Sequence, residues 1–442
     1  MRAKYEFDTM TAAEEEVVNE APTGLQEESF EEDPNPEVVI LGSSAATAAA
    51  DKGSSNDVVV DSNNDIHQDD DQLIIRNLNR KFCSNWKSII YLSMFSVIGV
   101  TCRSFLGRLF GGDCDPDHAV QDWLYPLSKH ICVTTNGRTE QYGGALFIDL
   151  PANMLGSFII GFFTGHSSEW PAIPFLKHDH PLQGELGLHL GIRTALCGSL
   201  TTFSSWNSQM VLMMDGTANP YLGSQVIAAL FGYVIGLQVA IMSFRFGRTL
   251  CAWTHKKRNP YLFNSDLILS ATERQRFHEN YYWLSPVTVL LCIATLFALF
   301  LSGDFYWGIN YYRELWIACL MAPFGTMLRW KLSTFNGKCA KYPWFPLGTW
   351  LANFTGSIVS AALTAQAYLH LAKDVETADA LIGLSIGFAG SLSTVSTYVK
   401  EIVELADKNQ FYSKKGLLYS YLTILSCMFV GLLVYSPMVR YA

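Results

Sequence analysis

The sequence predicts an all-α polytopic membrane protein. It is expected to be an inverted repeat of two four-helix domains joined by one linking transmembrane helix, nine spans in all, behind a disordered acidic N-terminal tail. Three observations predict this: nine apolar segments of bilayer-crossing length, three short motifs that each occur twice in the same order, and loop charges that sort to two sides. Hydrophobic residues make up 49% of the chain and charged residues only 16%, against roughly 25% charged in soluble domains. The net charge of −9 is unevenly spread. The first seventy or so residues are strongly acidic, and the remainder carries more basic than acidic side chains.

Residues 1–75 are rich in Asp, Glu, Ala, Ser and Asn and poor in aromatics, a composition that cannot bury enough apolar surface to order itself. They lack the basic start, apolar core and small-residue cleavage site of a signal peptide. A basic stretch (Arg76, Arg80, Lys81, Lys87) leads into the first apolar segment, 88–107. The others are 143–165, 186–214, 222–246, 284–301, 311–330, 344–370, 381–403 and 416–435. Each approaches or exceeds the ~20 residues that cross hydrocarbon. The expected domains are a first four-span unit over 85–246, a basic loop over 247–283, a linking helix over 284–303 and a second four-span unit over 311–437.

Loop charges orient the chain. The Arg/Lys run before the first span and the basic loop 245–276 belong on the cytoplasmic side. Four spans separate them, so the two assignments agree. Lys338, Lys341, Lys400, Lys408, Lys414 and Lys415 also fall inside, and the acidic loop DCDPDHAVQD falls outside. This topology puts the N-terminus in the cytoplasm and the C-terminus outside the cell, with the plasma membrane as the expected location.

The repeat rests on particular residues. GVTCRSF (99–105) parallels GTMLRWK (325–331), each with a Gly and then an Arg four residues on. LPANMLGSFIIG (150–161) parallels LANFTGSIVSA (351–361), and LCGSLTTFSSW (196–206) parallels FAGSLSTVSTY (388–398). The separation shrinks from 226 (Arg103 to Arg329) to 200 (Asn153 to Asn353) to 192 residues (Gly198 to Gly390), so order is kept while loops shorten. Four spans repeated around a fifth must run in opposite directions, which makes the repeat inverted.

The third motif holds Gly and a run of hydroxyl residues where a span should be mid-membrane. Gly costs about 1 kcal/mol in a helix interior and Ser and Thr bond locally, so this is the composition of a broken helix. Non-helical backbone at that depth survives only inside protein or beside a wet cavity. Broken helices in pairs point to an ion or substrate site. Asn153 and Asn353 bring amide N–H donors to such a site; the alternative is that each bonds a neighbouring helix.

Together the three strings, G-x-x-x-R, N-x-x-G-S and G-x-x-T-T-F-S-x-aromatic, resemble the fluoride channel family called Fluc or CrcB. There two four-span subunits form an antiparallel dimer, and the eukaryotic exporters fuse both halves through a linking span. The resemblance implies passive, fluoride-selective export that lowers cytosolic fluoride, in a chain acting as a monomer with an internal pseudo-dimer. It implies that the third and sixth positions of T-T-F-S-x-F line two pores, one ring from each half. One pore would pair Phe203 with Tyr398 and continue along the hydroxyl stripe Tyr419, Thr423 and Ser426. The other would pair Val395 with Trp206, lacks a polarised ring edge at Val395, and is expected to be vestigial; packing is the competing role for Trp206. The last span of the first half shows Gly232 and apolar residues where a stripe would fall. The resemblance also implies a structural sodium ion held by backbone carbonyls at Gly198, Thr201, Gly390 and Ser393.

Arg103 and Arg329 are expected near helix ends, where each either gathers anions at a vestibule or anchors the helix. Asp149 stands where the second half has Thr349, an acidic substitution that an anion path should avoid; a vestibule hydrogen bond would also explain it. Ten cysteines without a CxxC pair argue against a zinc or redox centre, and Cys114 and Cys132 are compatible with either a disulfide or two thiols. No nucleophile–base set, phosphate-binding loop or nucleic-acid footprint is present, so enzyme readings are disfavoured. The expected partners are fluoride and membrane lipid. A proton-coupled transporter would need intramembrane acids or His, of which His189 is the main candidate; a non-transporting scaffold would leave the paired breaks unexplained.

Overall fold

The computed structural model describes residues 63–111, 134, 145–164, 186–216, 222–258, 310–371, 373–407 and 414–441, the first 23 of these in backbone alone. The chain divides into two units, Met1–Asn64 and Asp65–Ala442, and the helical elements fall almost wholly in the second. The expected linking span (284–303), the acidic loop, Cys114 and Cys132 lie outside the described residues.

Every described element is helical apart from turns. α1 runs Asn63–Gly111, α2 Leu150–Thr164, α3 Leu186–Leu190, α4 Cys197–Leu200, α5 Phe203–Asp215 and α6 Leu222–Arg258. In the second half, α7 runs Asn310–Ser333, α8 Leu347–His370, α9 Val375–Leu384, α10 Gly390–Leu392, α11 Ser396–Asp407 and α12 Lys414–Arg440. Between α3 and α4, and again between α9 and α10, one wide π-helical turn intervenes, Gly191–Leu196 and Ser385–Ala389. Four helical stretches are long and apolar enough to cross a membrane: Trp86–Phe110, Gly223–Thr254, Val375–Ala406 and Lys414–Arg440. α2 is a shorter apolar helix.

Two boundaries differ from expectation. α1 begins at Asn63, inside the stretch assigned to the tail. No Gly or Pro interrupts 54–98, so nothing in the backbone chemistry there stops a helix from extending towards the N-terminus. α6 continues past Phe246 to Arg258, because Gly247 packs rather than terminates: a side chain there would run into the Phe158 carbonyl and lie 2.8 Å from the Phe162 nitrogen on α2. The first residue that must stop the helix is Pro260.

The outer faces are apolar. Ile227, Phe231, Val234, Met242 and Phe246 on α6, and Leu418, Leu422, Leu425, Phe429 and Leu433 on α12, are all exposed. Stripes of this size on a water-facing surface would be an aggregation hazard, and against acyl chains they are the expected solvent match. Inward, α2 packs on α6 and α8 on α12. The core between them is unusually polar, with Asn153, Asn353, Thr201, Thr202, Ser204, Ser393, Thr394, Ser396 and both repeat arginines buried. α9 starts at Asp374, whose carboxylate accepts from the Thr377 amide at 3.2 Å and hydroxyl at 2.5 Å. Those bonds hold the exposed carboxyl below the usual carboxylate range.

Candidate functional site: two braced helix breaks and a row of rings

Both hydroxyl stretches break their helices as the sequence predicts. Thr201 (φ −91°, ψ 148°) and Thr202 (φ −140°, ψ 127°) are extended between α4 and α5, and Ser393 (φ −84°, ψ 158°) is extended after α10. Extended backbone strands amide groups that hydrocarbon cannot satisfy. The asparagines meet this need. Asn153 Oδ1 accepts from the Thr202 amide at 2.8 Å and its Nδ2 donates to the Thr202 carbonyl at 3.2 Å. Asn353 does the same for Thr394, at 2.7 and 3.2 Å. Each Nδ2 carries a second N–H that this pairing does not use.

The breaks are also laced to each other, and equivalent positions 192 residues apart make equivalent bonds. The Ser204 amide donates to Ser393 Oγ at 2.9 Å, and the Ser396 amide donates to Thr201 Oγ1 at 3.2 Å. Ser204 Oγ donates to the Ala389 carbonyl at 3.0 Å, and Ser396 Oγ to the Cys197 carbonyl at 3.1 Å. The two breaks thus make the same bonds to each other in both directions.

Arg103 lies eight residues before the end of α1 and Arg329 four before the end of α7. They are only 2% and 4% exposed, and each guanidinium reaches the break of the opposite half. Arg329 Nη2 donates to the Thr194 carbonyl at 2.6 Å, while Arg103 Nη2 donates to the Ile386 carbonyl. Both acceptors sit in the π turns, the kind of local bulge that is frequent at functional sites. The Gly four residues earlier permits the approach. A Cβ at Gly99 would lie 2.8 Å from the Leu196 carbonyl, and one at Gly325 3.0 Å from the Leu392 nitrogen and against the Phe388 carbonyl. The G-x-x-x-R spacing puts Gly and Arg one helical turn apart on one face, so a single face packs on one break and reaches the other.

Beside the breaks runs a row of rings. Phe203 meets Tyr398 edge-on at 5.6 Å (85°), Tyr398 meets Tyr419 at 5.3 Å (70°), and Tyr419 meets Phe345 at 5.4 Å (90°). The cross-half pair Phe203–Tyr398 is therefore in contact. Edge-to-face pairs direct polarised ring hydrogens sideways along the row. Tyr398 Oη donates to the Ser420 carbonyl at 2.8 Å. Of the hydroxyl stripe, Thr423 is buried and donates to the Tyr419 carbonyl at 2.8 Å, and Ser426 accepts from Trp350 Nε1 at 3.1 Å.

The Val395–Trp206 side is filled differently. Trp206 is fully buried, stacked on Phe147 at 5.3 Å and tilted against Tyr233 at 5.6 Å. Its indole also lies where a side chain at Gly236 would be, 2.7 Å from that Cβ position. Val395 is fully buried in the same core. Tyr233, overlooked in the sequence because Gly232 and apolar residues surround it, donates its buried hydroxyl to Asn207 Oδ1 at 2.8 Å.

Glu401 also escapes the sequence reading. It lies three residues after Tyr398 and accepts from Tyr419 Oη at 2.8 Å, Thr349 Oγ1 at 2.7 Å and Asn336 Nδ2 at 3.1 Å. Its first-half equivalent is Gln209, whose Oε1 accepts from the Ile148 amide at 3.2 Å. The carboxylate there has moved to Asp149, which accepts from Ser205 Oγ at 2.5 Å. The signal that could have found Glu401 is an acid one turn past an aromatic on a broken span. Glu401→Ala strands three donors at about 1–3 kcal/mol for each that stays unpaired. Glu401→Gln keeps an acceptor for Thr349 and Asn336. Thermal melting is expected to fall clearly for the first and slightly for the second.

Paired, mutually braced helix breaks inside a jacket of lipid-compatible helices define the class as a polytopic membrane protein with a broken-helix site. Within that class the chain belongs to the CrcB-like protein family (Camphor Resistance, CrcB), whose pattern matches residues 90–242 and 316–435. It is 28% identical over 266 residues to fluoride export protein 1 of Candida albicans, covering 58% of this chain and 63% of that protein. It is 25% identical over 261 residues to fluoride export protein 1 of Saccharomyces cerevisiae, covering 50% and 69%. The bacterial relative fluoride-specific ion channel FluC 1 of Staphylococcus aureus is 33% identical over 87 residues, covering 20% of this chain and 66% of that one. No solved structure matches the chain.

Proposed function

We propose that this protein exports fluoride across the plasma membrane as a passive anion channel. It would do so as a single chain of nine spans in two inverted halves, with the N-terminus cytoplasmic and the C-terminus extracellular. The observation that carries this reading is the edge-to-face row Phe203–Tyr398–Tyr419 beside two Asn-braced breaks, in a CrcB-like chain whose relatives are named fluoride exporters and channels.

Fluoride is small and strongly hydrated, so a path must replace its water with donors. Ring edges and the second N–H of Asn153 and Asn353 are donors without negative charge. The row on the Tyr398 side is the proposed working pore. The Val395–Trp206 side, packed with Phe147 and Tyr233, is the proposed vestigial one. An inside-negative potential then suffices to drive the anion out, at ~2.3 kcal/mol per charge per 100 mV.

A second reading, proton-coupled fluoride transport, is favoured by the Glu401 carboxylate at the Tyr419 end of the row. Purified protein in liposomes separates the two. Fluoride efflux that persists after collapse of the pH gradient supports the channel, whereas strict dependence on that gradient supports coupling. Loss of fluoride tolerance in cells lacking the protein is expected under both, and unaltered tolerance would count against both.

A further inference from the structure

The family resemblance calls for a sodium ion between the breaks, and the residues here do not fit one. Two of the four expected carbonyl ligands, those of Gly198 and Ser393, already face Arg329 Nη1 at 2.9 and 3.2 Å, and the Ser391 carbonyl faces it at 2.5 Å. Three acceptors around one NH₂ group with two hydrogens is the surrounding of a point cation rather than of a paired hydrogen bond. A Cβ at Gly198 would lie 2.7 Å from the same nitrogen, and one at Gly390 2.6 Å from Arg103 Nη2. An ion drawing on these carbonyls would have to stand where a guanidinium nitrogen stands.

We propose that Arg329 is this protein's central cation: its guanidinium takes the place of a bound metal ion and clamps the two helix breaks together.

The electrostatics agree. α4 and α10 end at the breaks, so the negative ends of both half-helices converge on this point. Among the described residues no carboxylate pairs with Arg329, which leaves carbonyl dipoles as its counter-charge. A metal ion added here would be a further positive charge in direct contact with the guanidinium of Arg329, at a position only 4% exposed. The two arginines are not equivalent. Arg329 spends its Nη groups on four carbonyls, whereas among the described residues Arg103 bonds the Ile386 carbonyl alone and its Nη1 has no partner. Of the two guanidinia, Arg329 is the one that holds the carbonyl cluster of Gly198, Ser391 and Ser393.

The test is a melting experiment on the purified full-length chain in detergent, in sodium, potassium or N-methylglucamine chloride at matched ionic strength. Coincident curves are expected. A melting temperature that rises with sodium and saturates, as mass action requires of a ligand bound only by the folded state, would overturn the proposal. Arg329→Ala vacates the carbonyl cluster. Where that variant folds, a sodium-dependent gain in melting temperature absent from the parent is expected; wild-type stability without any such gain would overturn the proposal equally. Should it not fold, Arg329→Lys supplies a cation of different shape, expected to fold with reduced, sodium-independent stability. Sodium-dependent melting of that variant would count against the clamp.

Discussion

Fluoride efflux through Phe203→Leu is expected to fall at least tenfold, the equivalent of ~1.4 kcal/mol, while Val395→Ala stays close to the parent. Both positions are fully buried and both are third in their motif, so burial alone predicts similar outcomes. They differ in what they present. Phe203 stands edge-on to Tyr398 and Trp206, and its ring hydrogens carry the positive rim that can face an anion. Leu keeps most of the volume and removes the rim, which separates loss of a contact from loss of packing. The truncation Phe203→Ala is expected to abolish fluoride tolerance too, but carries a cavity penalty of about 3–5 kcal/mol. Tyr398→Phe retains the ring and gives up only the bond to the Ser420 carbonyl, so it should keep most of the flux. The measurement is fluoride-electrode efflux from liposomes, normalised to folded protein. Equal losses from Phe203→Leu and Val395→Ala would remove the case for one working pore.

The features legible in the sequence are those written as local pattern. Apolar length placed eight segments where helices are described, and Gly beside hydroxyl residues placed both breaks. The twin Asn could be paired with the breaks because their motifs recur in order. What the sequence does not carry is the third dimension of a repeat. Nothing in G-x-x-x-R says that the arginine crosses to the other half. That depends on a carbonyl in a π turn far along the chain, at Thr194 for Arg329 and at Ile386 for Arg103. Charge on an apolar span suggests only a helix end, the ordinary solution in lipid. Glu401 escaped for the opposite reason: with Lys400 and Glu404 as neighbours, nothing in its local pattern sets it apart from a solvated charge. In the fold its carboxylate turns inward to Tyr419, and the Lys400–Glu404 pair at 3.3 Å takes the outer face.

Gly198→Ala is expected to be far more damaging than Gly390→Ala, although the two glycines are equivalent by motif and by position at their breaks. Each would drive a methyl group into a guanidinium, and overpacking of this kind costs about 1–3 kcal/mol where neighbours can shift. The neighbours differ in freedom. Arg329 is tied to the carbonyls of Gly198, Ser391, Ser393 and Thr194, so displacing it strands several buried acceptors at about 1–3 kcal/mol for each left unpaired. Among the described residues Arg103 holds one carbonyl and its Nη1 holds none, so it gives up less in moving away from a methyl group at Gly390. Melting temperature and the monodisperse fraction after purification read the difference directly. Loss confined to Gly198→Ala would locate the clamp on Arg329. Equal loss at both glycines would mean that both guanidinia are held alike, and the asymmetry between the halves would then reside in the rings alone.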